Sequence, residues 1–204
     1  MVEELLYKIK LYMSDIKLYD VLKNSYSNKK KQMDSLKRNG YNYDSMLSNH
    51  NQQVYFNPND RKLIVNVSGT HNLSDWGTDL YLAAGKLKDT NRYKEANKIF
   101  KEAKQKYRPS KTNVVGHSLG GSIASYISGN NDKVHTLNSG YTIGQKTKKN
   151  RNEYQVGGDA VSLFGSNQKH THLISGNYKN SGLIPLDLLN AHSISNIKNS
   201  KIRI

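Results

Sequence analysis

Residues 112–129, TNVVGHSLGGSIASYISG, constrain the fold of this chain more than any other stretch. A β-branched run from Thr112 to Val115 reads as a buried strand. It meets Gly116-His117-Ser118-Leu119-Gly120, and Gly121, Ile123, Ala124, Tyr126 and Ile127 then recur at helical spacing. Strand, sharp turn and helix with G-x-S-x-G at the turn is the pattern of a nucleophile elbow. Such a turn holds Ser118 in a strained backbone conformation that lifts its hydroxyl above the sheet edge. Gly116 and Gly120 leave room where strand and helix backbones approach, and the Leu119 N–H at the helix start points toward a developing oxyanion.

A nucleophile elbow needs a sheet and layer helices, and 204 residues are enough for one domain with a sizeable core. The pattern along the chain supplies both. Val2, Leu5, Leu6, Ile9, Met13 and Ile16 recur at helical spacing and predict an amphipathic helix over 3–22. A second helix is expected over 29–38, ended by Gly40, with Lys29-Lys30-Lys31 as a solvated face. QVYFN at 53–57 and KLIVNV at 62–67 bracket the turn cluster Pro58-Asn59-Asp60 and predict a β-hairpin. A helix from Ser74 or Asp75 through about Ala84 contains the single Trp76. Tyr93, Ala96, Ile99, Phe100, Ala103 and Tyr107 mark a four-turn layer helix stopped by Pro109. Strands are expected over 134–137, 153–156 and 172–175, with apolar segments at 160–164 and 183–189. The fold class read from this is α/β: a mixed, α/β-hydrolase-like sheet flanked by helices, antiparallel at the hairpin side. One domain spans 1–204, with a helical N-terminal part over 1–50 and the catalytic core over 51–204.

Charge bounds the partners. Lys and Arg number 31 against 16 Asp and Glu, a formal net charge of +15. That excess favours anionic surfaces such as phospholipid headgroups, nucleic acid or other acidic polymers. Lys146, Lys148, Lys149 and Arg151, in a basic loop before the strand at 153–156, are the candidates to face an anionic membrane. No zinc pattern, basic recognition helix or aromatic stacking motif supports a nucleic-acid-binding module. The chain has no cysteine, so disulfides and thiolate metal sites are excluded. No apolar run approaches the roughly 18 residues of a membrane span, and charged residues at positions 3, 4, 8 and 10 interrupt any signal-peptide core. The expectation is a soluble protein of the producing cell's cytoplasm, or one packaged in a virion.

A serine nucleophile needs a base beside it and a carboxylate to orient that base, in the chain order Ser, acid, His for an elbow of this type. Of the later histidines, His135 lies inside an apolar strand, where a satisfied structural role is expected. His170 and His172 flank Thr171 in a polar stretch. His192 sits on a late loop able to fold back over the sheet edge. Among the acids, Asp132 precedes a strand, Glu153 starts one, and Asp187 is too close to His192 to reach it from another loop. Asp159 follows a strand and two glycines, where a catalytic loop belongs. The best set is Ser118, Asp159 and His192. The loop Ser68-Gly69-Thr70, leaving the strand at 62–67, supplies a second oxyanion donor through the Thr70 backbone or hydroxyl, beside Leu119.

At these residues the sequence resembles the class 3 lipases, relatives of the fungal triacylglycerol lipases, over about residues 54–197. Val67-Ser68-Gly69-Thr70 with Asp75-Trp76 through Asp79-Leu80 is similar to the family's oxyanion loop and following helix. Val114-Val115-Gly116-His117-Ser118-Leu119-Gly120-Gly121 is similar to its elbow. Gly158-Asp159-Ala160-Val161 and Ala191-His192-Ser193 are similar to its acid and base loops. The resemblance implies Ser118 as nucleophile, Asp159 as acid, His192 as base, and Thr70 and Leu119 as oxyanion donors. It implies hydrolysis of a lipid or other ester without metal or organic cofactor. Ser68 stands where the family usually has Arg, and the His-x-Gly-Phe segment is missing. Only a short lid is therefore expected over 71–92, which weighs against triglyceride as the substrate. Two readings of other classes are a catalytically dead hydrolase scaffold used for binding and the nucleic-acid module above.

Overall fold

The computed structural model describes residues 16–70, 85–140, 149–159, 170–176, 187 and 190–204. The expected helix around Trp76, the apolar segments at 160–164 and 183–189, most of the lid, Lys146 and Lys148 lie outside them.

Seven strands form one sheet in sequential order: β1 (Asn42–Tyr43), β2 (Gln52–Asn57), β3 (Lys62–Val67), β4 (Lys111–His117), β5 (Lys133–Leu137), β6 (Arg151–Val156) and β7 (Thr171–Ile174). β1 through β3 are antiparallel, Val54 facing Val65, and β3 through β7 are parallel. The β2–β3 turn closes because Asn57 Oδ1 accepts from the amides of Asn59 and Asp60 at 3.0 and 3.2 Å. The central strands read as continuous apolar or β-branched runs because both faces of the sheet are covered.

Alternation sends neighbouring residues to opposite faces. Val65 and Val114 join Phe100, Ile123 and Ala124 beneath helices α3 (Asn91–Tyr107) and α4 (Leu119–Ile127). Ile64 and Val115 join Leu18, Val21, Leu22, Leu36 and Ile197 on the other face, under α1 (Leu18–Leu22) and the C-terminal 3₁₀ turn Ile194–Ile197. Each fully buried aliphatic side chain in these clusters contributes about 1.5–3 kcal/mol. Thr90 caps α3 by accepting from the Tyr93 amide at 3.2 Å. Arg108, left-handed at φ 42, ends it one residue before Pro109.

Two expectations are corrected. Of the first helix, expected over 3–22, residues 3–15 lie outside the described residues; Lys17 is extended and pairs antiparallel with Arg203, so the helical part described is Leu18–Leu22 alone. The Leu18 amide donates to Ile202 O at 3.0 Å and the Ile204 amide to Ile16 O at 3.1 Å. A single bridge to residues 202–204 thus supplies partners that a helix would have used. The second helix, α2 (Lys29–Asp34), stops at Asp34 and resumes as a 3₁₀ turn at Lys37–Asn39, with Gly40 left-handed at φ 79. The break turns Leu36 into the core, where it is 1% exposed. β1 was not apparent in the sequence. Two residues give no alternation to read, and pairing with β2 alone makes them a strand.

Candidate active site

β4 ends at His117 and α4 begins at Leu119, leaving Ser118 alone at the corner with φ 56 and ψ −129. A non-glycine residue there stores about 1–3 kcal/mol of backbone strain. The corner is held shut by Ser118 N–H donating to Leu137 O at 3.1 Å and by Gly121 N–H donating to Ser118 O at 2.9 Å. Two glycines make the approach possible. A methyl built on Gly116 would lie 2.3 Å from Gly120 O, and one on Gly120 would lie 2.2 Å from Val67 O. Ser118 Oγ is buried and makes no hydrogen bond among the described residues.

Asp159 and His192 come together. Gly158, at φ 85, turns the chain after β6, and the Asp159 amide returns to Val156 O at 3.1 Å. The carboxylate then accepts from His192 Nδ1 at 2.7 Å, with the two residues 1% and 4% exposed. This contact fixes the tautomer: Nδ1 carries the proton, which leaves Nε2 as the basic nitrogen.

What ties this pair to the elbow is His117, a residue the sequence reading passed over. Its Nε2 lies 2.8 Å from His192 O, and a carbonyl only accepts, so Nε2 carries the His117 proton. Nδ1 is therefore an acceptor, and the Tyr26 hydroxyl donates to it at 2.7 Å. The Tyr26 oxygen in turn accepts from the Gly69 amide. Burial, with His192 beside it, lowers the His117 pKa to about 3, so the ring stays neutral next to the His192 imidazole. Burial pushes the Tyr26 phenol up to about 12, which keeps its proton in place. Asn138, also missed, donates to His192 O and Ala191 O at 3.2 Å and accepts from the Val156 amide at 2.8 Å. Its left-handed φ of 47 at the end of β5 is invisible in the sequence. Asn196 gathers the same turn by donating to the carbonyls of Asn190, Ala191 and Ser193.

The loop after β3 reaches the same place. A methyl on Gly69 would lie 3.0 Å from Ser118 Cβ, so Gly69 abuts the serine. Thr70, the next residue along this loop, is half-buried. Leu119, 7% exposed, starts α4 on the other side of Ser118.

The rejected candidates have other occupations. Glu153 is buried against Arg151 at 2.6 Å and accepts from the Ser139 amide and hydroxyl and from the Thr136 hydroxyl. Asp132 pairs with Lys104 at 2.7 Å. His172 stacks on Tyr154. His135 is buried as expected but not satisfied: neither ring nitrogen has a hydrogen-bond partner among the described residues. Burial first, then Lys133 and Lys111, lowers its pKa to about 4. The basic-loop expectation also changes. Arg151, 7% exposed inside its ion pair, begins β6 two residues after Lys149, at the end of the parallel strands opposite the one Ser118 follows.

A sequence model described as a Tle-like phospholipase domain matches residues 19–183, most of the chain. The chain belongs to the Tle-like phospholipase domain family. No curated protein matches it. Three solved structures share the fold of this phospholipase-like domain. One is the triacylglycerol lipase whose catalytic centre is a serine protease triad, at 14% identity, TM-score 0.57, covering 88% of this chain and 92% of that one. Another is a mutant form of MDLA from Penicillium cyclopium, at 14% identity and TM-score 0.52, covering 85% and 82%. The third is Rhizomucor miehei lipase in its propeptide complex, at 14% identity and TM-score 0.52, covering 88% and 76%. The likeness to fungal lipases read from the elbow thus holds at the level of fold.

Proposed function

We propose that this Tle-like phospholipase domain hydrolyses carboxylic esters of lipids by acyl transfer through Ser118. The observation that carries the reading is the 2.7 Å contact from His192 Nδ1 to Asp159, on a loop whose His192 carbonyl is bonded by His117, the residue before the strained Ser118. Ser118 Oγ attacks the ester carbonyl carbon, and its proton passes to His192 Nε2. The carbonyl oxygen becomes an oxyanion received by the N–H groups of Leu119 and Thr70, with the Thr70 hydroxyl as a further donor. Collapse breaks the bond to the leaving alcohol, which takes the proton from His192. Water then enters, gives its proton to His192 and releases the fatty acid, restoring Ser118. Asp159 stabilises the imidazolium formed twice in this cycle, and neutral His117 adds no second positive charge beside it.

The test is labelling with a fluorophosphonate together with release of fatty acid from a defined phospholipid. Wild type labels at Ser118 and releases fatty acid; Ser118→Ala does neither while keeping its melting temperature. A dead scaffold labels in neither form. Labelling that persists in Ser118→Ala sinks the assignment of the nucleophile.

A further inference from the structure

The end of the sheet away from Ser118 carries a cluster that the ester chemistry does not use. β4, β5 and β6 begin there, and a crevice of about 410 Å³ opens between their first residues and the segment 203–204. Lys111, Lys133, Lys149 and Arg203 line it together with Asn152 and His135, and no Asp or Glu among the described residues does. Alternation puts Lys111, Lys133, His135 and Asn152 on the sheet face that carries Val115, Leu137 and Val156. Ile202 and Ile204 pack against that same face, and their backbone bonds to Leu18 and Ile16 bring Arg203 to the crevice. The length of β4, at about 3.3 Å per residue, sets the crevice roughly 20 Å from the nucleophile.

His135 distinguishes this cluster from a solvated basic face. It is 5% exposed, it lines the crevice, and neither ring nitrogen has a hydrogen-bond partner among the described residues. Buried side-chain nitrogens are as a rule paired, and one left alone is costly. Burial first, then the charges of Lys133 and Lys111, keep the ring neutral, so both ammonium groups act on it. Lys133 and Lys149 form no ion pair among the described residues. An anion entering here meets cations from several strands, relieves their mutual repulsion and offers the imidazole an acceptor.

Spacing selects the anion. Lys111, Lys133 and Lys149 stand at the starts of three successive strands, about 4.8 Å apart, so their charges extend across roughly 10 Å. One orthophosphate covers only part of that span, whereas a chain of phosphates follows it. The lining has no Phe, Tyr or Trp to stack a base and only Ile204 as an aliphatic wall, so recognition falls on the phosphates.

We propose that this crevice is a second binding site, separate from the catalytic one, for a short chain of phosphates, as in inorganic tripolyphosphate or a nucleoside triphosphate. Lys111, Lys133, Lys149 and Arg203 meet the phosphates, and His135 stands at the inner end. The site is independent of the ester-hydrolase reading, and failure of either leaves the other standing.

The experiment titrates the full chain with tripolyphosphate, ATP, orthophosphate and a thymidine oligonucleotide by calorimetry at physiological salt, and follows the His135 ring by NMR. The expected result is one tripolyphosphate bound per chain, more tightly than orthophosphate, with the His135 resonance moving as it binds. Lys111→Gln with Lys133→Gln should weaken that affinity about 10²-fold, about tenfold for each charged contact. Lys30→Gln with Lys31→Gln removes the same charge from exposed positions of α2 and should change it less than twofold. Tighter binding of ATP assigns the phosphate chain to a nucleotide, and equal or tighter binding of tripolyphosphate assigns it to an inorganic chain; both uphold the site. Equal affinity for orthophosphate, the same loss in both double variants, or an unmoved His135 resonance overturns it. The oligonucleotide binding more tightly than either phosphate chain also overturns it and makes this face a nucleic-acid surface. The His135 resonance of wild type decides the location without reference to the folding of any variant.

Discussion

The side chain of His117 donates from Nε2 to the backbone carbonyl of His192 at 2.8 Å, across 75 positions of sequence. The residue before the elbow serine thereby holds the loop that presents the imidazole. His117→Phe keeps the ring's bulk but removes both hydrogen bonds, leaving the Tyr26 hydroxyl and the His192 carbonyl short of a partner. The expected outcome is a fall of about 10²-fold in kcat with KM for a short ester little changed. A rate within twofold of wild type would show that Asn138 and Asn196 suffice to place the loop.

The acid is tested by exchange. Asp159→Asn preserves shape, but an amide cannot stabilise imidazolium and offers the wrong tautomer a partner. Activity on p-nitrophenyl butyrate should drop about 10³–10⁴-fold, with the fold retained by circular dichroism. Asp187→Asn should stay close to wild type. The reverse pattern moves the acid to Asp187.

Two buried histidines set the acid side of the stability profile. His117 and His135 have folded pKa values of about 3 and about 4, below their ordinary 6.5. The unfolded chain therefore binds protons that the folded chain refuses. Their stabilising effect is complete above about pH 6.5 and is lost as pH falls toward 4 and then 3. Each costs about 2 kcal/mol by pH 5, from about 1.4 kcal/mol per pH unit. Urea unfolding at pH 7, 6 and 5 measures the slope, and His135→Leu should flatten it by about one proton. Equal stability at pH 7 and 5 in wild type would refute the buried neutral state of both rings.

Backbone contact at the elbow is tested by a single methyl. Gly120→Ala must push against the carbonyls of Val67 and Ser68, at 2.2 and 2.5 Å from the new carbon, and neither can rotate away. A loss of about 3 kcal/mol or more is expected, read from thermal melting. Gly85→Ala has open space and should be neutral or slightly stabilising. Equal melting temperatures for the two variants would mean that strand and helix can separate at no cost.

What the sequence determined by itself was the part of the fold written in local periodicity. Short apolar and β-branched runs located β2 through β7 to within two residues. The Thr112–Val115 run leading into G-x-S-x-G marked the elbow, and the spacing of Ala96, Phe100 and Ala103 marked α3. Candidate positions for an acid and a base followed from chain order. Tertiary structure decided the rest, because the deciding contacts join residues far apart in sequence. Tyr26 meets His117 across 91 positions and Asp159 meets His192 across 33. No local pattern distinguishes such a tyrosine or histidine from any other. The same holds for Lys17, which reads as part of a helix and pairs with Arg203 instead, and for Arg151, which reads as a surface cation and is buried against Glu153. In each case a partner brought in by the fold outweighs the local preference, since a buried amide or charge left alone costs more than a few residues of helix propensity can return.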